Sequence, residues 1–422
     1  MILATTSNPR AMGFGEFVAL MAALTALVAL SIDMILPALP AIGATLGVER
    51  SNDNQLVISS LFLGFGLGQL LYGPMSDATG RKPAGYAGLL LFIVGCVLAL
   101  LAWSFPMMLA GRFLQGAGVA GPRTMTIALV RDRFEGRAMA RVMSLVMAVF
   151  ILVPIVAPAL GQAVLAVSGW RTIFGIYLAM ALVTGAWFAL RQDETLPPGS
   201  RIPFSAGRMA SAAREVVTDR LALGYTVAAG LVFGAFMGYL TSAQQILQQQ
   251  YALGTRFPLF FAMLAISIGG ASLLNSQLVM RHGMHALSSW SLRAICAVSV
   301  IFGAVALAAS GHPPFWTLMT YLLATFFAVG LLFGNLNALA MQPLGHIAGT
   351  GAAVVGAVST LISMALGTAI GQSYDGTVLP LVAGFAVLSV LAIIATHWAE
   401  SGARPEPVRQ HDRADPRTTE AT

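Results

Sequence analysis

Along the chain, apolar residues come in blocks of about 20 or more, long enough to cross a bilayer, separated by short segments rich in Gly, Pro and charge. Twelve blocks are predicted as membrane-spanning helices: 14–39, 55–73, 84–104, 106–130, 141–166, 171–190, 221–245, 257–280, 290–310, 315–339, 348–373 and 379–398. One connection is long, polar and of mixed charge. It divides the chain into a cytoplasmic N-terminus (1–13), a six-helix bundle (14–190), a cytoplasmic linker (191–220), a second six-helix bundle (221–398) and a disordered tail (399–422). The first block exceeds a signal-peptide core of about 7–15 residues and lacks a basic leader, so it is expected to remain as a helix.

Composition narrows the class. The 422 residues are 57% hydrophobic and 9% charged, with mean hydropathy +0.80, whereas soluble domains carry about 25% charged residues. The solvent is therefore mostly lipid, and the fold class is an all-α membrane protein. Cys96 and Cys296 both lie in apolar segments, offering neither a disulfide framework nor metal-ligand spacing. The net charge of +6 is spread thinly over loops, the mark of cytoplasmic loops rather than of a nucleic-acid partner. With the N-terminus inside, 18 of the 23 basic residues face the cytoplasm, three (Arg50, Arg171, Arg256) face outward, and Arg112 and Arg123 lie within the membrane. Both termini are expected to be cytoplasmic.

The stretch GRFLQGAGVAGPR, Gly111 to Arg123, contains GxGxxG. A dinucleotide site needs a preceding strand and an acid about 20 residues later. Here the flanking sequence reads as helix, and Asp132 and Glu135 come too early. The glycines are expected to let neighbouring helices approach closely, with Pro122 kinking the helix.

The two arginines carry more information. A charge at mid-membrane costs about 2.5–3.5 kcal/mol on insertion scales, and it persists where it meets a partner or a cavity. Arg112 and Arg123 are 11 residues apart and so point to one face of a helix. The only acid deep in a span is Asp33, seven residues before Pro40 or about 10 Å at helical rise. Arg112 lies six residues after Pro106, about 9 Å, in a helix running the other way. The matching depths predict an Asp33–Arg112 pair whose carboxyl binds and releases a proton. Glu16, near the inner end of the same helix, is a second candidate cavity charge with Arg123.

GPMSDATGRK, Gly73 to Lys82, resembles the loop between helices 2 and 3 of the major facilitator superfamily, where Gly73 and Gly80 are read as permitting a tight turn. RFLQGAG resembles that superfamily's fourth-helix arginine motif, and PIVAPALG, with Pro154, Pro158 and Gly161, its fifth-helix antiporter motif. SIDMILPALP, ALVRDRF and ETLPPG together resemble the bicyclomycin/chloramphenicol-resistance (Bcr/CflA) branch of drug:proton antiporters. The resemblance covers nearly all the chain, most strongly its first half. In the second half only Arg281 and Gly283, in LVMRHGMH, match the gate motif.

The resemblance implies a multi-pass protein of the bacterial inner membrane that works by alternating access, driven by the proton gradient and needing no cofactor. It implies proton coupling through Asp33 and Arg112, and a cytoplasmic gate at Asp77 and Arg81, flanked by Gly73, Gly80 and Lys82. A metabolite such as an amino acid is the alternative cargo. A membrane enzyme finds no support, since neither HExxH nor GxSxG occurs and the histidines lie in loops, near helix ends or in the tail. On the substrate side, Tyr239 and Asn335 are nominated among the polar residues of helices 7, 8 and 10. Twenty Met and 23 Phe suit an adaptable apolar wall. A single acid near the cavity predicts a neutral or monocationic, partly apolar substrate, carried by a protein expected to act as a monomer.

Overall fold

The computed structural model describes residues 12–401. Most of the expected N-terminal segment and of the tail lie outside these residues. Fourteen α-helices follow in order: α1 (Phe14–Asp33), α2 (Leu39–Leu46), α3 (Leu56–Thr79), α4 (Arg81–Leu100), α5 (Phe105–Arg133), α6 (Gly136–Val167), α7 (Arg171–Arg191), α8 (Ala206–Thr218), α9 (Arg220–Gln244), α10 (Phe257–His282), α11 (Met284–Ala308), α12 (Phe315–Met341), α13 (Ala348–Gln372) and α14 (Leu379–Glu400). Twelve of these are long and match the twelve predicted spans. Ten stretches pass a length-and-hydropathy test for crossing a membrane. Helix α5, diluted by its arginines, does not pass, and α12 and α13 merge into one apolar run across the 3-10 turn Gln342–Ile347.

Helices α1 and α3–α7 pack mainly on one another, as do α9–α14. The two sets meet chiefly along α3 against α13 and α6 against α10. Helix α8 lies within the 191–220 linker, where the sequence reading had only a polar connection. It buries Ala212 and Val216, is capped by the Ser205 hydroxyl, and packs on α9 and α13. We call the side of the molecule bearing this linker the linker face, and the opposite side the far face.

Two local features differ from expectation. First, α1 does not end in a loop: Pro37 opens a 3-10 turn, Leu36–Ala38, and the chain re-enters helix as α2. Second, Gly73 is not part of a turn. Helix α3 runs through it and Pro74 to Thr79, and Gly80 alone makes the turn, at φ +109°. Gly283 has the same role between α10 and α11, at φ +79°. Helices α5 and α6 continue past Pro122 and past Pro154 and Pro158.

The GxGxxG glycines do serve packing. A Cβ on Gly116 would strike the backbone of Leu61 and Phe65 on α3, and one on Gly118 the backbone of Phe92 and Gly88 on α4. Gly121 faces Gly88 and the Tyr72 ring. Gly161 admits the Met34 carbonyl, seating α6 against the turn that follows α1.

Candidate functional site

The end of α1 sets the geometry. The last carbonyls of a helix lack intrahelical partners; on α1 the Ser31 carbonyl is such a group, while that of Leu30 also accepts from the Met34 N–H at 3.1 Å. Arg112 answers them. Its Nη2 donates to the Ser31 carbonyl at 2.8 Å, its Nε to the Val57 carbonyl at 3.1 Å and its Nη1 to Gln115 Oε1 at 2.7 Å. Tyr177 donates to the Leu30 carbonyl at 2.9 Å. A cation and a phenol thus cap the C-terminus of α1, where positive charge is favoured.

The expected Asp33–Arg112 ion pair is therefore not formed. The two residues share a depth, as predicted, but the guanidinium is filled by neutral acceptors. Asp33 is 5% exposed, and among the described residues it has no ion-pair or hydrogen-bond partner. The Tyr239 hydroxyl is buried with no hydrogen-bond partner. Its ring is held between Phe261 and Phe326, at centroid distances of 6.0 and 4.7 Å.

Other nominated residues are placed differently from their expected roles. Glu16 is not a cavity charge: Arg191 Nε and Nη2 reach its carboxylate at 2.6 and 2.7 Å and Trp187 donates at 3.3 Å, tying α1 to α7 on the linker face. Asn335 exchanges reciprocal amide bonds with Asn275, at 3.1 and 2.9 Å, which brace α12 against α10 and leave its amide donors occupied. Arg123 lies over the rings of Phe65 and Phe150, 5.4 and 5.9 Å from their centroids.

The gate motif forms a clasp within the first set of helices rather than a bond across the two sets. Arg81 donates to Asp77 at 2.6 Å, to Ser76 at 2.7 Å and to Asp132 at 2.8 Å. Two partners escaped the sequence reading: Asp132, in ALVRDRF, and Glu194, in ETLPPG. The Glu194 carboxylate accepts from the backbone N–H groups of Arg81 and Lys82 at 2.9 and 3.0 Å, capping α4. Burial pushes this carboxyl up, but the N–H groups of Leu196, Arg81 and Lys82 together hold it below the ordinary glutamate range. Lys82 itself donates to the Ala189 carbonyl at 3.2 Å.

A seal at the far face was also missed. Asn52 donates to the carbonyls of Gln372 and Tyr374 at 3.0 and 2.8 Å, and its own carbonyl accepts from Gln372 at 2.8 Å. Gln245 donates to Asn52 at 2.8 Å and accepts from Gln55. Gln245 opens a π-helical turn, Gln245–Gln250, a rare distortion found mostly at functional sites. Deeper along the same seam, Thr368 bonds Ser59 at 2.7 Å and Gln69 bonds Thr360 at 3.0 Å. On the linker face, among the described residues, no side-chain hydrogen bond or ion pair joins the two sets directly. Only α8 bridges toward α13, with Glu215 bonded to His346 at 2.7 Å. The far face is bolted and the linker face is not.

Twelve long helices packed in this way, with a buried acid in one of two sets that are hydrogen-bonded together at one end, define a polytopic transporter. The major facilitator superfamily model matches residues 21–368, and the chain belongs to that superfamily. It is 28% identical over 370 residues to the Bacillus subtilis MFS-type transporter YdgK, covering 87% of this chain and 90% of that one. It is 27% identical over 401 residues to a bicyclomycin resistance protein homolog of Haemophilus influenzae (91% and 96% covered). It is 28% identical over 354 residues to a chloramphenicol resistance protein of Pseudomonas aeruginosa (80% and 81% covered). These names are those of the branch that the sequence motifs resemble. Among solved structures, the human organic anion transporter MFSD10 superposes with TM-score 0.69 at 18% identity, over 91% of this chain and 98% of that one. The D-xylose–proton symporter superposes with TM-score 0.68 at 13% identity, over 91% and 97%. Both share the fold.

Proposed function

We propose that this protein is a proton-coupled exporter of small, partly apolar molecules, working by alternating access between two six-helix bundles in the bacterial inner membrane. The linker face and both termini are cytoplasmic, following the excess of basic residues on that side. The observation that carries the reading is the Asp33 carboxyl, buried near the far-face end of α1 without a partner among the described residues. A carboxyl in that setting gains or loses a proton at a cost set by how open the site is to water, which links its charge to the state of the seal. In the linker-open state substrate enters and Asp33 releases its proton inward. In the far-open state Asp33 is reprotonated and substrate leaves. The proton gradient supplies the driving force and no cofactor takes part. The relatives named for bicyclomycin and chloramphenicol resistance support such compounds as cargo.

The test is drug susceptibility of an efflux-deficient bacterium expressing wild type or Asp33→Asn at matched membrane levels. The panel contains chloramphenicol, florfenicol, bicyclomycin and ethidium. Protection by the wild type but not by the variant is expected. Equal protection by both would remove Asp33 from the coupling role. Protection by neither would move a metabolite such as an amino acid to first place as cargo.

A further inference from the structure

The charge for which the fold provides no partner is Arg123. Arg112, on the same helix, is fully buried with three acceptors. Arg123 is half-buried, and among the described residues its guanidinium meets no carboxylate within 4.0 Å and no hydrogen-bond acceptor. The nearby hydroxyls are turned away: Thr124 donates to the Ala120 carbonyl at 2.8 Å and Thr126 to the Pro122 carbonyl at 3.0 Å. What surrounds the guanidinium is aromatic. Phe65 of α3 and Phe150 of α6 lie 5.4 and 5.9 Å from it. Two rings orient the fork by cation–π attraction and supply no acceptor, so its five N–H donors remain available.

The location matters as much as the vacancy of partners. Helices α3 and α6 carry the main contacts with the second set, so both rings against Arg123 come from the helices of the seam. Arg123 lies ten residues from the linker-face end of α5, about 15 Å. In the second set, Phe233 lies 13 residues from the start of α9, about 20 Å, and Phe333 eight residues from the end of α12, about 12 Å. Their rings, half-buried and 4.4 Å apart, form an apolar wall at a similar depth. Asp33 is elsewhere: it shares the depth of Arg112, 11 residues along α5 from Arg123, or about 16 Å.

We propose that Arg123 docks the carboxylate of an organic acid whose apolar body rests on the Phe233–Phe333 wall. This rests on the transport reading above and names the cargo class for its cavity. It adds organic acids to the neutral compounds proposed above as cargo. The planar fork matches a carboxylate through two parallel hydrogen bonds, and a half-desolvated cavity strengthens that contact. Because the carboxylate and proton sites lie at different depths, a bound carboxylate does not occupy Asp33.

The experiment measures equilibrium binding of three ligands with one body and three heads to the purified full-length protein in nanodiscs: 4-phenylbutanoate, 4-phenylbutanamide and 4-phenylbutylammonium. Wild type is expected to bind the carboxylate about tenfold more tightly than the amide. Arg123→Gln should bring the two within about twofold while leaving amide affinity unchanged. Arg123→Lys, which keeps the charge but loses the fork, should fall between them. It also serves as the second variant if the glutamine protein does not fold. The proposal is overturned if wild type prefers the amide or the ammonium, if it binds none of the three, or if the carboxylate preference survives in Arg123→Gln. These readouts need no proton gradient, so they stand apart from the drug-susceptibility outcome of Asp33→Asn.

Discussion

At the scale of single residues, Arg112 and Asp33 divide the labour that the sequence appeared to give to a pair. Arg112 holds three neutral acceptors on three helices, a geometry suited to a planar fork and not to a lysine ammonium. Arg112→Lys is therefore expected to lower stability by about 2 kcal/mol through lost charge-assisted bonds and to abolish transport. Its thermal unfolding in detergent tests this. Asp33→Asn breaks no bond, so its unfolding midpoint should stay near wild type while transport is lost. Depth was legible from the sequence because helical rise and two prolines suffice to calculate it. The ion pair was misjudged because Arg112 is taken up by the Ser31 and Val57 carbonyls and the Gln115 amide, and neutral acceptors leave no trace in a list of charges. Tyr239 was nominated among several polar residues of its helix, and that its hydroxyl lacks a hydrogen-bond partner emerges only from the packing. The engagement of Asn335 with Asn275 was hidden because its partner comes from another helix.

At the scale of elements, the two glycines of the gate motif have separate fates. Gly80 sits at φ +109°, and a Cβ there would also approach the Glu194 carboxylate at 2.5 Å. Gly73 is helical, with its nearest neighbour at an ordinary 3.7 Å. Gly80→Ala should destabilise by about 1 kcal/mol or more and reduce transport, while Gly73→Ala should be tolerated. Paired transport assays decide it. In α5, Gly118→Val should prevent accumulation of folded protein, whereas Gly175→Ala, with nothing within 4 Å, serves as a neutral control. The Glu194 cap makes a pH prediction. Its carboxyl is held low in the folded protein, so its stabilisation is complete above the unfolded value of about 4.3 and fades as pH falls through the lower folded value. The difference in unfolding midpoint between wild type and Glu194→Gln should narrow toward zero on acidification below that range. Motif spacing predicted where this turn lies; the acid that caps it comes from more than 100 residues away and carries no periodic signal.

At the scale of the whole molecule, hydropathy was enough for twelve spans because lipid imposes the same requirement on each of them. It said nothing of which face is closed. That depends on a few amides at or beside the ends of the spans, Asn52, Gln55, Gln245 and Gln372, which in sequence look like ordinary boundary residues. Loosening them should shift the population toward the far-open state. In an Asn52→Ala background, a cysteine at Ser59, now bonded to Thr368 beneath the seal, should react faster with a membrane-impermeant maleimide added from the far side. An unchanged labelling rate would show that the packing of α3 on α13, and not the amides, keeps that face shut.

The chemistry of the seal also bears on the membrane voltage. Its amide side chains are uncharged, and only Arg50, at the rim, reaches Gln372, at 3.3 Å. Moving uncharged groups through an electric field does no electrical work, whereas each elementary charge crossing 100 mV carries about 2.3 kcal/mol. Opening and closing the far side thus contributes almost no gating charge. Any dependence of turnover on membrane potential falls instead on Asp33, Arg123 and the cargo between them. A cell that loses its voltage but keeps its pH difference would still be able to work the bolt.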